Sequence, residues 1–149
     1  MKILIASDHA GFELKNRIKD FLIKESFDIE DMGASALNPE DNYTEIMIPV
    51  AMRVLEDSEN TKAIIFGKSG QGEAMVSNRF PGIRCSVYYG GNTEILKLSR
   101  EHNNANILSI GADFINEEET KNAIKIWIST PFSGEERHIR RIDQMDNIQ

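Results

Sequence analysis

Ala63-Ile64-Ile65-Phe66-Gly67-Lys68-Ser69-Gly70-Gln71-Gly72-Glu73 is the stretch on which the fold turns. Its first four residues are apolar and aliphatic or aromatic, and a glycine-rich loop closes them, which reads as a short buried strand. A short helix follows from Gly72 to about Arg79 and is stopped by Pro81-Gly82. The same sequence of apolar run, polar loop and helical periodicity recurs along the chain. Ile3-Leu4-Ile5, Cys85-Ser86-Val87-Tyr88 and Ile107-Leu108-Ser109-Ile110 are further strands. Phe27 to Met32, closed by Gly33, alternates as a half-exposed edge strand does.

The intervening segments carry helical spacing. Phe12, Leu14, Ile18, Phe21 and Leu22 form an apolar stripe. A second helix spans about Thr44 to Leu55, with Pro49 either kinking it or marking a late start. Asn92 to Glu101 forms another, capped by Asn92 or Thr93. The next follows Asn116, whose side chain is suited to cap it while Glu117, Glu118 and Glu119 complement the helix dipole. Its inner face is Ala123, Ile124, Trp127 and Ile128. A last helix, Gly134 to Met145, is too polar to be a core element by itself. Strand and helix thus alternate five times, which selects a doubly wound, Rossmann-like α/β sandwich with a five-stranded parallel sheet and a C-terminal helix. Residues 1–149 are expected to form one domain, with Ala34 to Asn42 as the longest loop.

Composition narrows the class of function. A net charge of −7 over 149 residues argues against general affinity for nucleic acid or anionic membranes. Cys85 is the single cysteine, so no intrachain disulfide forms, and Met1 to Ser7 enter a strand pattern with no signal-peptide core. A reducing, cytoplasmic setting is the expectation. No apolar run approaches the roughly 20 residues of a membrane-spanning helix.

In open parallel sheets ligands bind beyond the carboxyl ends of strands. Two loops there are chemically loaded: Ser7-Asp8-His9-Ala10-Gly11 and Gly67 to Glu73. The glycines of the second allow backbone N–H groups to converge on an anion. Its spacing matches neither a Walker loop nor a dinucleotide fingerprint, which disfavours a nucleotide. Ser69 and Glu73 stand beside that cradle, Glu73 as a proton-transfer base or simply as a solvated acid at a helix start. Asp8 is suited to position a hydroxyl or to cap the first helix, and His9 to meet a negative group. Arg100-Glu101-His102-Asn103-Asn104 precedes a strand rather than following one. Arg137 and Arg141 share a helical face at i, i+4, where they suit a phosphate or pair with neighbouring acids. Such parts suffice for an enediolate isomerisation with no cofactor and no metal, and His9, His102 and His138 give no zinc signature.

Five segments, Ser7 to Gly11, Gly67 to Glu73, Asn78 to Arg84, Arg100 to Asn106 and Arg137 to Arg141, closely resemble the ribose-5-phosphate isomerase type B family across essentially the whole chain. The resemblance implies interconversion of ribose 5-phosphate and ribulose 5-phosphate, without cofactor, at a site shared by two subunits of a homodimer, alone or as a dimer of dimers. Galactose-6-phosphate isomerase subunits share the fold; an isomerase of allose or galactose 6-phosphate, or a non-catalytic sugar-phosphate binder, is the alternative. Many relatives place a cysteine base where this chain has Phe66, so the match is to the branch with a Ser69 and a Glu73 base. By the same resemblance Asp8 and His102 serve ring opening, Gly70 and Gly72 the anion hole with Gln71 between them, and Asn103 a substrate oxygen. His9, Arg137 and Arg141 hold the phosphate, and Tyr43 lies at the lip of the pocket. Two departures stand out. Gly111-Ala112-Asp113 replaces the family's Gly-x-Arg, with Lys68 a candidate compensating cation, and Asn42-Tyr43-Thr44 replaces Asp-Tyr-Pro.

Overall fold

The computed structural model describes residues 1–148. Five parallel strands, β1 (Lys2–Ser7), β2 (Asp28–Asp31), β3 (Thr61–Gly67), β4 (Cys85–Tyr88) and β5 (Ile107–Gly111), form one sheet in the order β2-β1-β3-β5-β4. Six helices accompany them: α1 (Phe12–Lys24), α2 (Tyr43–Glu56), α3 (Gln71–Ser77), α4 (Glu94–Glu101), α5 (Glu117–Ser129) and α6 (Glu136–Asp146). The expected doubly wound sheet is therefore present. β2 and β4 are its edges, which accounts for the half-exposed alternation of β2.

The inner strands are buried on both faces, and strand alternation divides their side chains between two cores. Ile3, Ile5, Ile64, Phe66, Leu108 and Ile110 face α1, α4 and α5, where Ile18, Leu22, Leu96, Ile124 and Trp127 meet them. Leu4, Ala6, Ala63, Ile65 and Ile107 face α2, which contributes Met47, Val50, Ala51 and Val54. Phe66 is thus wholly a core residue.

Helix boundaries largely follow the sequence reading. Asn116 accepts the Glu119 amide at 2.9 Å while Glu119 reaches back to the Asn116 amide, a complete capping box. Asn92 Oδ1 takes the Glu94 amide, so Asn92 supplies the side-chain bond although Thr93 occupies the cap position. Pro49 neither starts α2 nor ends it: the helix runs continuously from Tyr43, and Pro49 lies on its exposed side, where the carbonyl it leaves without a donor meets solvent. α6 packs with a single buried residue, His138, as its polarity implies.

α6 is held at the amino-terminal edge of the sheet. Asp146 accepts from the Gly82 amide at 3.2 Å and from Arg84 at 3.0 Å, just before β4 begins. No helix among the described residues is long and apolar enough to cross a membrane. Because Ile64 is fully buried in the strand with neighbours on both sides, Ile64→Ala is expected to cost about 3 kcal/mol. Urea unfolding should show it as a lower midpoint at an unchanged slope.

Candidate active site

The order of strands reverses between β1 and β3, since β1 continues outward to β2 and β3 continues the other way to β5. A crevice opens at that point beyond the strands' carboxyl ends. The Asp8–Gly11 loop and the Gly67–Glu73 loop both leave the sheet there, so the fold brings together the two segments that sequence spacing singled out.

Their packing explains the residue types. A β-carbon on Gly11 would run into Phe66, and one on Gly67 would overlap the Glu73 carboxyl group. Glu73 is therefore folded back over the end of its own strand. Gly70, at φ +76°, occupies the left-handed region and caps α3, and its carbonyl accepts from Ser109 Oγ at 2.7 Å. Gly111 lies so close to the Ser69 carbonyl that a β-carbon would come within 2.6 Å. The β3 loop is clamped against the end of β5, and Ser69 Oγ accepts the Gln71 amide at 3.3 Å. The first amides of α3 have no intrahelical acceptor; that of Gln71 is taken by Ser69 Oγ, and that of Glu73 bears on its own carboxyl group. Tyr43, at the start of α2, reaches across to Gly72, where a β-carbon would stand 2.9 Å from its ring.

Glu73 is 4% exposed. Burial pushes its pKa up, its own backbone amide draws it partly back, and the negative charge of Asp8 pushes it up further. Asp8, 6% exposed, accepts the amides of Ala10 at 3.0 Å and Gly11 at 3.2 Å, so it closes the turn into α1 although Gly11 is the cap residue. His9 bonds through Nδ1 to Asp41 Oδ1 at 2.6 Å. Asp41 was not among the residues expected from sequence. It lies in the long aperiodic loop before α2, and folding alone brings it to a partner 32 residues away.

His102, Asn103, Arg137 and Arg141 are elsewhere. His102 ends α4 and Asn103 follows it, both ahead of β5, so they occupy the amino-terminal edge of the sheet. The ring of His102 lies against that of buried His138, with centroids 4.3 Å apart and planes tilted by 52°, and His138 also meets Ser133 Oγ and the Glu101 carbonyl. His138, absent from the expected site, thus packs directly on one of its members. Arg137 and Arg141 are exposed on α6 at the same edge, and Arg137 pairs with Glu135 at 2.8 Å. One copy of the chain therefore does not assemble Asp8 with His102, nor His9 with the two arginines. The sheet itself stands between them.

Lys68 is not a free compensating cation, since it lies 3.8 Å from Asp113 and the two exposed charges balance. A groove of about 620 Å³ is lined by residues such as Phe80, Arg84, Asn103 and Met145 and by none of the crevice residues. Size does not mark the chemistry here, because convergent polar groups and a buried acid lie elsewhere. The donor atoms of Asp8, His9 and Asp41 lie within 4.8 Å of one another, the one such grouping among the described residues.

A doubly wound parallel sheet with a buried carboxylate and a glycine cradle at its switch point is the architecture of a small-molecule α/β enzyme. The chain belongs to the ribose/galactose isomerase family, whose profile matches residues 3–145. It is 36% identical over 143 residues to ribose-5-phosphate isomerase B of Mycolicibacterium paratuberculosis, covering 96% of this chain and 88% of that one. A ribose 5-phosphate isomerase from Thermotoga maritima superimposes with a TM-score of 0.91 at 34% identity, over 99% of this chain and 98% of that one. The Mycoplasma genitalium ribose-5-phosphate isomerase B, solved with bound ribulose 5-phosphate, also gives 0.91, at 30% identity over 97% and 93%.

A raised carboxyl pKa means that the folded protein holds the Glu73 proton more tightly than the unfolded chain. Stability should therefore fall as pH rises from the ordinary value of 4.5 through the folded value. Glu73→Gln removes this penalty. Its melting temperature should exceed that of the wild type at neutral pH, and the gain should vanish once the pH drops below the ordinary glutamate range.

Proposed function

We propose that the protein is an aldose–ketose isomerase that interconverts ribose 5-phosphate and ribulose 5-phosphate, with Glu73 as the proton-transfer base. The observation that carries this reading is a carboxylate with a raised pKa, lodged over Gly67 beside a glycine cradle. The named activity of the related isomerases agrees with it. On the open-chain aldose, Glu73 takes the proton from carbon 2 and returns it to carbon 1, while the proton of the oxygen-2 hydroxyl passes to oxygen 1, so that the aldehyde becomes an alcohol and carbon 2 the ketone. The enediolate formed between these steps carries negative charge, which the α3 amides and Ser69 are suited to stabilise. Raising the pKa of the base keeps it able both to accept and to give back a proton.

Two copies of the chain complete the site in this reading: the partner subunit's His102 and Asn103 act on the ring oxygen and a hydroxyl, and the partner's Arg137 and Arg141 join His9 around the phosphate. The separation of these groups to opposite edges of one sheet supports it. So does the exposed apolar row Ile48, Met52 and Leu55 along α2, continued by Met75 on α3, which a second subunit would cover. The reaction uses no cofactor, and a cytoplasmic, pentose-phosphate setting accords with a chain bearing one cysteine.

Glu73→Gln is expected to lower kcat on ribose 5-phosphate by about 100-fold or more while sugar-phosphate binding persists. Wild-type protein inert on every pentose and hexose phosphate offered would sink the reading. The shared site has its own test. Glu73→Gln and His102→Ala preparations, each inactive, should regain up to roughly a quarter of wild-type activity when their subunits are exchanged, because half of the mixed dimers' sites are then intact.

A further inference from the structure

We propose that Asp41 is a positioning residue for His9, fixing that ring so that its Nε2 is the donor presented to the substrate's phosphate. The inference deepens the isomerase reading and rests on its assignment of His9. Asp41 Oδ1 accepts twice from the same residue, from the His9 backbone amide at 3.2 Å and from ring Nδ1 at 2.6 Å. Two bonds from one oxygen hold both the backbone and the plane of the ring. A carboxylate only accepts, so Nδ1 keeps its proton in either charge state, and the proton that makes the ring cationic sits on Nε2, where it is the donor. The remaining oxygen, Oδ2, is buried without a hydrogen-bond partner in the chain, so the side-chain bonding of Asp41 goes entirely to His9. The Asp41 side chain is 12% exposed and that of His9 is 39%, which places the acid behind the ring and leaves the ring facing outward.

The charge on the ring follows from the same contact. The groups that bias His9 are Asp41 and Glu40 from the loop before α2 and Asp8 from its own loop, all of them acids, against a smaller opposing effect of burial. The Asp41 bond is the largest of these influences and raises the pKa above the ordinary 6.5. His9 therefore stays cationic to higher pH than an unassisted histidine, over the range in which a phosphate monoester becomes a dianion. Loss of Asp41 should release both the orientation and the charge. At the end of the loop before α2, in Asp41-Asn42-Tyr43, the Asp41 carboxylate is the one that reaches His9.

The test compares wild type, Asp41→Asn and Asp41→Glu by steady-state kinetics on ribose 5-phosphate between pH 6 and about 8.5, and by NMR titration of the His9 ring in the same proteins. In Asp41→Asn the KM at neutral pH should rise about tenfold, the loss of one hydrogen bond that orients the ring, with kcat falling far less. The rise in KM with pH should begin at lower pH than in wild type, and the His9 titration should move down with it. Asp41→Glu should recover part of both. In a His9→Asn background the Asp41→Asn change should add almost nothing, because the two act as one unit. A His9 titration and KM profile unchanged by Asp41→Asn would overturn the proposal, as would a full Asp41 effect persisting without His9. The titration and its shift do not require turnover, so a wild type inactive on sugar phosphates would remove the isomerase reading and leave the Asp41–His9 coupling to be decided separately.

Discussion

β1, β3 and β5 are largely apolar toward both faces of the sheet, and the two buried carboxylates of the crevice, Asp8 and Glu73, lie past the strand ends. Burying an unpartnered charge among Ile3, Ile65 and Leu108 would cost several kcal/mol, whereas a carboxylate just past the last strand residue finds backbone amides and water. The same constraint keeps the connecting loops short and their backbones close. Gly67, Gly70 and Gly111 are where those backbones touch, and the closeness of Gly67 leaves room for the Glu73 carboxyl group to lie over the end of β3.

Around that crevice the charges are arranged by sign. Glu73, Asp8 and Asp41 gather on one side, and burial first, then the charge of Asp8, push the Glu73 pKa up. His9 is the cation that this acidic group sustains. The other cations expected to meet a phosphate, Arg137 and Arg141, are held on α6 at the opposite edge, anchored there by Asp146 on Gly82 and Arg84 and by His138 against α4. The α6 anchor thus fixes where the second half of a site is offered.

Most of the fold was legible because its determinants are local. A buried strand must be continuously apolar, as Ala63 to Phe66 are, and Asn116 with Glu119 form a cap whose partners are three residues apart. Pro49 does not mark the late start that propensity also allows, since α2 begins at Tyr43. The helix tolerates it because that side faces solvent and the packed face of Met47, Val50 and Val54 outweighs one missing hydrogen bond. The site was half legible. Glu73, Ser69 and Asp8 announce themselves by position after strands, but nothing periodic or motif-like marks Asp41, whose importance lies in a contact across 32 residues.

The sequence by itself determined the parallel α/β class, the two strand-end loops that carry the acid and the cradle, and membership in a family of sugar-phosphate isomerases. All of these follow from spacing within a few residues or from ordered motifs along the chain. Only the tertiary structure decided which of those motifs share a surface. It folded Glu73 back over Gly67, paired Lys68 with Asp113, set Asp41 behind His9, and put His102, Asn103, Arg137 and Arg141 on the far edge. The physical reason is that strand direction and strand order assign a loop to one end of the sheet or the other, and neither quantity is written in the identity of the loop's own residues.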